Sequence, residues 1–114
     1  MIVRLRDSYT TDEGPVRLDV TVGDGQKGRI KVNLDDNFLG GGADELHLEV
    51  GQGSSIAGKT LRIVATVTDT NEATNLTEVT YALSGGQSPR TWVSRHTVDD
   101  EGETVFYDTA FDLL

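Results

Sequence analysis

Apolar residues in this chain recur at every second position in segment after segment, and no long window carries a 3.6-residue period. Val16, Leu18, Val20 and Val22 alternate with Arg17, Asp19 and Thr21, and Ile30, Val32 and Leu34 alternate with Lys31 and Asn33. Leu46, Leu48 and Val50 stand opposite His47 and Glu49. Leu61, Ile63, Ala65 and Val67 share one side of a run rich in β-branched residues, and Val79, Tyr81 and Leu83 oppose Glu78 and Thr80. A side-chain period of two separates a buried row from a wet row only if the backbone is extended. The chain is therefore constrained to strands.

The pattern predicts strands over Ile2–Arg6, Val16–Val22, Arg29–Asp35, Glu45–Val50, Leu61–Thr68, Leu76–Ser84, Thr91–Val98 and Thr104–Asp112. Gly23-Asp24-Gly25 with Gly28 reads as a hairpin connection, because Asp-Gly supplies the positive φ of a tight turn. Asp69–Asn75, Ser84–Pro89 and Asp99–Gly102 read as further reversals, which would make Leu61 to Phe111 a β-meander. Asp7–Pro15 and Asp36–Asp44 read as two longer loops, with Phe38 and Leu39 plugging an open end of the fold. Turn signals at a spacing of roughly 8–12 residues suit a sandwich or small barrel. The fold expected is a single antiparallel β-sandwich of about seven or eight strands, immunoglobulin-like or jelly-roll in architecture, spanning residues 1–114 as one domain.

The length of 114 residues supports one core, and an apolar fraction of 36% is enough when every strand keeps one wet face. With 19 acidic and 10 basic residues the net charge is −9, which disfavours phosphate backbones and anionic membranes as partners; its plain reading is solubility and resistance to self-association, its sharper one attraction to a basic partner or to cations. There is no Cys, so disulfides, thiolate metal sites and cysteine nucleophiles are excluded together. Met1 to Arg6 shows no apolar leader and no stretch approaches membrane-spanning length, which leaves the compartment open.

Gly53 to Thr60 reads Gly-Ser-Ser-Ile-Ala-Gly-Lys-Thr and fits the phosphate-binding pattern G-x-x-x-x-G-K-[ST] at each fixed position. That loop works by aiming a helix N-terminus at the phosphates. Here the next residues are the strand pattern Leu61–Thr68, so the match is read as an accident, and no nucleotide is expected. Asp35, Asp36, Asn37, Asp44 and Glu45 gather oxygen donors around three glycines and are the candidate calcium ligands. As an EF-hand the segment fails, with Leu39 and Leu46 at ligand positions; the competing reading is a solvated turn.

Pro89–His96 holds the only Trp beside Arg90, Arg95 and His96, and alternation puts Arg90, Trp92, Ser94 and His96 on one face. Such a group can stack on a sugar or anchor an interface; alternatively Trp92 is the central core residue of a sandwich. His47 and His96 lie in strands, no serine sits in a Gly-x-Ser-x-Gly elbow, and Asp99-Asp100-Glu101 lies in a turn where solvation is the default. Asn75-Leu76-Thr77 is a glycosylation sequon that matters only in a secreted chain. The function expected is non-enzymatic, without cofactor: an interaction or structural module docking on a protein partner or on itself. The alternative is a carbohydrate- or small-ligand-binding module, with Arg90, Trp92, Arg95 and His96 as its surface and calcium assisting.

Overall fold

The computed structural model describes residues 1–114, about two-thirds of them in strands. They are β1 (Ile2–Tyr9), β2 (Pro15–Val22), β3 (Lys27–Leu34), β4 (Asn37–Ala43), β5 (Glu45–Gln52), β6 (Thr60–Thr68), β7 (Leu76–Ser84), β8 (Arg90–Thr97) and β9 (Thr104–Leu113). One helical turn, α1 (Gly53–Ile56), precedes β6. A five-stranded sheet has the order β1-β9-β6-β3-β4 and a four-stranded sheet the order β5-β2-β7-β8. The inward rows of both sheets meet in one cluster of 22 buried residues. Phe111 on β9 joins the sheets: its ring centroid lies 6.1 Å from that of Tyr81 on β7 and 4.3 Å from that of Trp92 on β8.

Alternation places the expected strands, but three expectations are corrected. Asp36–Asp44 is not a loop: Asn37–Ala43 is strand β4, hydrogen-bonded along β3. Its glycines hid it, since Gly40, Gly41 and Gly42 carry no side chain from which a period could be read. Close packing asks for them there, because a Cβ at Gly41 would sit 3.0 Å from the Ile30 carbonyl oxygen and one at Gly42 3.1 Å from that of Glu45. Phe38 accordingly lies on a strand, 62% exposed, and plugs nothing.

Second, Leu61 to Phe111 is not a meander. β6 and β9 belong to the larger sheet and β7 and β8 to the smaller, so only β7–β8 is a hairpin in that span. The Gly23–Gln26 turn likewise carries the chain from one sheet to the other, although Asp24 and Gly25 have the positive φ values (58° and 69°) of a tight turn. Turn chemistry fixes a reversal; which sheet the returning strand joins depends on the core. Third, the sheets are not wholly antiparallel. β1 runs on through Tyr9 and pairs in parallel with β9, from Ile2 opposite Phe106 to Tyr9 opposite Leu113.

Two buried polar groups tie down the connections. Gln26, 4% exposed, uses its whole hydrogen-bonding capacity on the β6–β7 connection. Its Nε2 donates to the carbonyls of Thr74 (3.2 Å) and Leu76 (2.9 Å), and its Oε1 accepts from the amides of Thr70 (2.7 Å) and Asn71 (2.8 Å). Thr77 donates to the His96 carbonyl at 2.7 Å and meets the Tyr107 hydroxyl at 2.6 Å, giving that phenol a partner inside the core. Tyr81 has no such partner, and burial pushes its phenol up to about 12.

Replacing Gln26 by Ala is expected to cost about 1–3 kcal/mol in urea denaturation, because four backbone groups lose their partner and water reaches only some of them. The amides of Thr70 and Asn71 should exchange faster than the rest of the sheet ends. Wild-type stability in Gln26→Ala would show that solvent already satisfies this connection.

Candidate functional site

Trp92 belongs to the core, 9% exposed, with its ring against Phe111 and edge-on to Tyr9 at 6.4 Å. Its Nε1–H donates to Asp7 Oδ2 at 2.8 Å, and the Arg90 guanidinium lies 4.6 Å from its ring centroid while bonding the same carboxylate at 3.2 Å. Arg90 and Trp92 are thus brought together around Asp7, a partner on β1 that alternation does not reveal. His96 lies four residues further along the same strand, about 13 Å away. Arg95 points to the opposite face and pairs with Glu78 at 2.6 Å. The four residues do not form one surface, and little of the Trp92 ring remains to stack on a sugar.

The acidic candidates are likewise divided. Asp35 and Asp36 form the two-residue turn between β3 and β4, with Asn37 opening β4, whereas Asp44 and Glu45 lie at the far end of that strand. Seven strand residues at about 3.3 Å each hold the two groups some 20 Å apart. Their oxygens also have structural work. Asp35 Oδ1 accepts the Thr60 amide at 2.9 Å and Asp44 Oδ1 that of Gly28 at 2.9 Å, both at residues with positive φ. No group of three or more His, Asp or Glu side chains lies in metal-holding geometry.

At Gly53–Thr60 the chain does not place a helix after Lys59; strand β6 begins at Thr60. The amides of Ala57, Gly58, Lys59 and Thr60 donate to Gly53 O, Leu113 O, Ile56 O and Asp35 Oδ1 respectively, so none is free to converge on a phosphate. Packing accounts for the first glycine, since a Cβ at Gly53 would collide with the Asp12 carbonyl. A positive φ of 88° accounts for Gly58. His47 and His96 sit on the opposite edge strands of the smaller sheet, three strand spacings apart across it and five residues apart along it, which separates them by about 20 Å.

The feature that composition concealed is the outer face of the five-stranded sheet. Alternation along β1, β3 and β6 points Arg4, Arg6, Lys27, Arg29, Lys31 and Arg62 outward on this one face, six of the chain's ten Lys and Arg. Only Asp108 and Asp112 oppose them, and both are already held: Arg62 grips Asp108 through two bonds of 3.0 and 2.9 Å, and Arg6 grips Asp112 through two of 3.0 and 2.7 Å. Arg4, Lys27, Arg29 and Lys31 have no ion-pair partner. The face is net +4 in a chain of net −9, so everything else sums to −13.

Apolar groups accompany the cations. Ile2 (51% exposed), Phe38 (62%) and Phe106 (46%) flank them on this face. Because Gly41 has no side chain, the surface dips beside Phe38 into a hollow of about 520 Å³ rimmed by Arg29 and Lys31, with Val64 in its wall. The Lys31 ammonium stands 5.9 Å from the Phe38 ring centroid. A second hollow of about 600 Å³ opens between Arg4, Arg6 and Arg62. Single-sequence alternation gives each cation an outward position but not a common sheet, since β3, β6 and β1 share a sheet only through long-range pairing, with β9 between β6 and β1. Comparison with protein-family models, with curated proteins and with solved structures gives no match.

Two titrations check this geometry. The Trp92 N–H, then the Ser8 amide and the Arg90 charge, hold the Asp7 carboxyl below its usual value of 3.8. A depressed folded pKa contributes stability that is complete above the unfolded value and lost as pH falls through the folded one. Near-UV dichroism of Trp92 should therefore persist at pH 4 and change only below 3.8; Asp7→Asn should remove that step. Asp19, 2.6 Å from His47 Nδ1, raises the imidazole above 6.5, with Glu45 adding to it. That contribution is complete below pH 6.5 and lost as pH rises through the folded pKa. Proton NMR should give His47 a midpoint above 6.5 that moves down in Asp19→Asn.

Proposed function

We propose that this chain is a non-enzymatic β-sandwich module, immunoglobulin-like in its layering, that docks on an acidic protein surface through the outer face of its five-stranded sheet. Two sheets closed on one aromatic-rich core support the sandwich reading, as do connections that repeatedly cross from sheet to sheet. The observation that carries the docking reading is the set of four unpaired cations beside exposed Phe38, Phe106 and Ile2, on a face whose only carboxylates are already bonded. Unpaired cations around exposed aromatic surface are what an interface rich in carboxylates would complete. The partner's sign is thus the reverse of the one that net charge suggests. Should the ligand be a carbohydrate, Phe38 rather than Trp92 supplies the exposed ring.

Chromatography tests the face directly. At pH 7 a protein of net −9 has no overall reason to bind a negatively charged carboxymethyl resin. The wild-type chain should nevertheless be retarded at about 20 mM salt and released by about 200 mM, where the Debye length falls below about 10 Å. Arg29→Glu/Lys31→Glu, which alters two exposed and unpaired side chains, should flow through with an unchanged melting curve. Flow-through of the wild type would refute the docking face.

A further inference from the structure

Once the ion pairs are subtracted, most of the cations left over gather on one face. Four of the six unpaired cations, Arg4, Lys27, Arg29 and Lys31, lie on the outer face of the larger sheet; Arg17 lies on β2 and Lys59 just before β6. The densest unpaired carboxylates, Asp99, Asp100, Glu101 and Glu103, form the turn between β8 and β9 at one end of the molecule, and all are exposed. Resting on the docking face proposed above, we infer that its acidic partner is a second copy of this chain, whose Asp99–Glu103 turn seats in the basic hollows of its neighbour.

Three properties of the turn fit it for that role. It is held in shape before any encounter: the Gly102 amide donates to the Asp69 carbonyl and the Asp69 amide to the Glu103 carbonyl, each at 2.9 Å, so little ordering remains to oppose docking. It also stands clear of the body, since a Cβ at Gly102 would meet nothing within 4 Å. Finally, its four carboxylates match a face of net +4.

A long polyanion fits less well, because a chain crossing the face would run on past the acidic turns at both ends of the sheet. A compact turn makes the favourable contacts alone. The turn and the face are different surfaces at an end and a side of the molecule, so a single contact leaves a free face on one copy and a free turn on the other, open to a further copy or to reciprocal pairing.

Sedimentation velocity at pH 7 tests this. In about 50 mM salt the wild-type sedimentation coefficient should rise with protein concentration, and in about 500 mM salt it should stay at the monomer value, since screening removes exposed charge pairs. Asp99→Lys/Asp100→Lys and Arg29→Glu/Lys31→Glu should each weaken association at least about tenfold when alone. An equimolar mixture of the two should regain one-to-one pairing, because the intact turn of the face variant meets the intact face of the turn variant. Near-UV dichroism of both variants, altered only at exposed side chains, establishes that they are folded. A wild type that is monomeric at every salt, a variant that associates like the wild type, or a mixture that fails to recover would each overturn the inference. If the wild type is retained on carboxymethyl resin yet stays monomeric, the self-docking inference falls and the docking face stands. Retention on heparin by such a monomer would mark a polymeric polyanion as the occupant.

Discussion

The contacts of Phe111 with Trp92 and Tyr81 make two sheets into one body, and the rest of the molecule follows from what those rings require. Trp92 comes from an edge strand, so covering its ring draws β8 over toward β1, and its indole N–H then needs an acceptor at the margin of the core. Asp7 provides it and recruits Arg90 as counter-charge, which ties the two edge strands across that side. On the other side Asp44 makes the corner between β4 and β5. Its amide bonds the Gly28 carbonyl, its carbonyl the Val22 amide, and its carboxylate the Gly28 amide. With both flanks bridged and the inner faces buried, the broad surfaces left to meet a partner are the two outer sheet faces and the turns.

How far the sequence could be read depended on the range of the interaction. Alternation is local, and it located β2, β3, β5, β6 and β7 with their inward rows because each such row is dictated by the next residue but one. Strand β4 was invisible, since Gly40-Gly41-Gly42 has no side chains to alternate; its extended form is imposed by β3 beside it. The parallel union of β1 with β9 joins residues about a hundred positions apart, and no turn signal can announce it. The same limit explains the meander: Asp69–Asn75 and Asp99–Gly102 are true reversals, but a reversal does not say which sheet receives the strand.

The candidate site was hidden for the same reason, compounded by averaging. Each of Arg4, Arg29, Lys31 and Arg62 is an ordinary outward strand residue in its own segment. Only the order β1-β9-β6-β3-β4 lays those segments side by side and turns scattered cations into a field. Trp92 stands out in the sequence as the only Trp, yet a unique large ring in a small β fold is the residue a core is most in need of. The Asp35–Glu45 segment drew attention for its oxygen donors, and those donors serve turns whose positive φ values ask for a local acceptor.

Net charge and local charge then govern different stages of an encounter. The molecule measures 45 × 25 × 20 Å, and at 0.15 M ionic strength fields decay over about 8 Å. Each dimension exceeds that length, so a partner resting on the sheet feels the +4 of the face far more than the −9 of the whole. Only below about 0.01 M, where fields reach about 30 Å, does the order reverse, because long-range repulsion between acidic molecules then opposes approach before the face can act. A surface of this kind is strongest at about 20–50 mM salt, above the range where the net charge dominates and below the range where screening removes the face. On the docking reading proposed above, the acidic excess elsewhere keeps unselected polyanions at a distance and leaves the basic face to a partner whose carboxylates are compact enough to fit inside it.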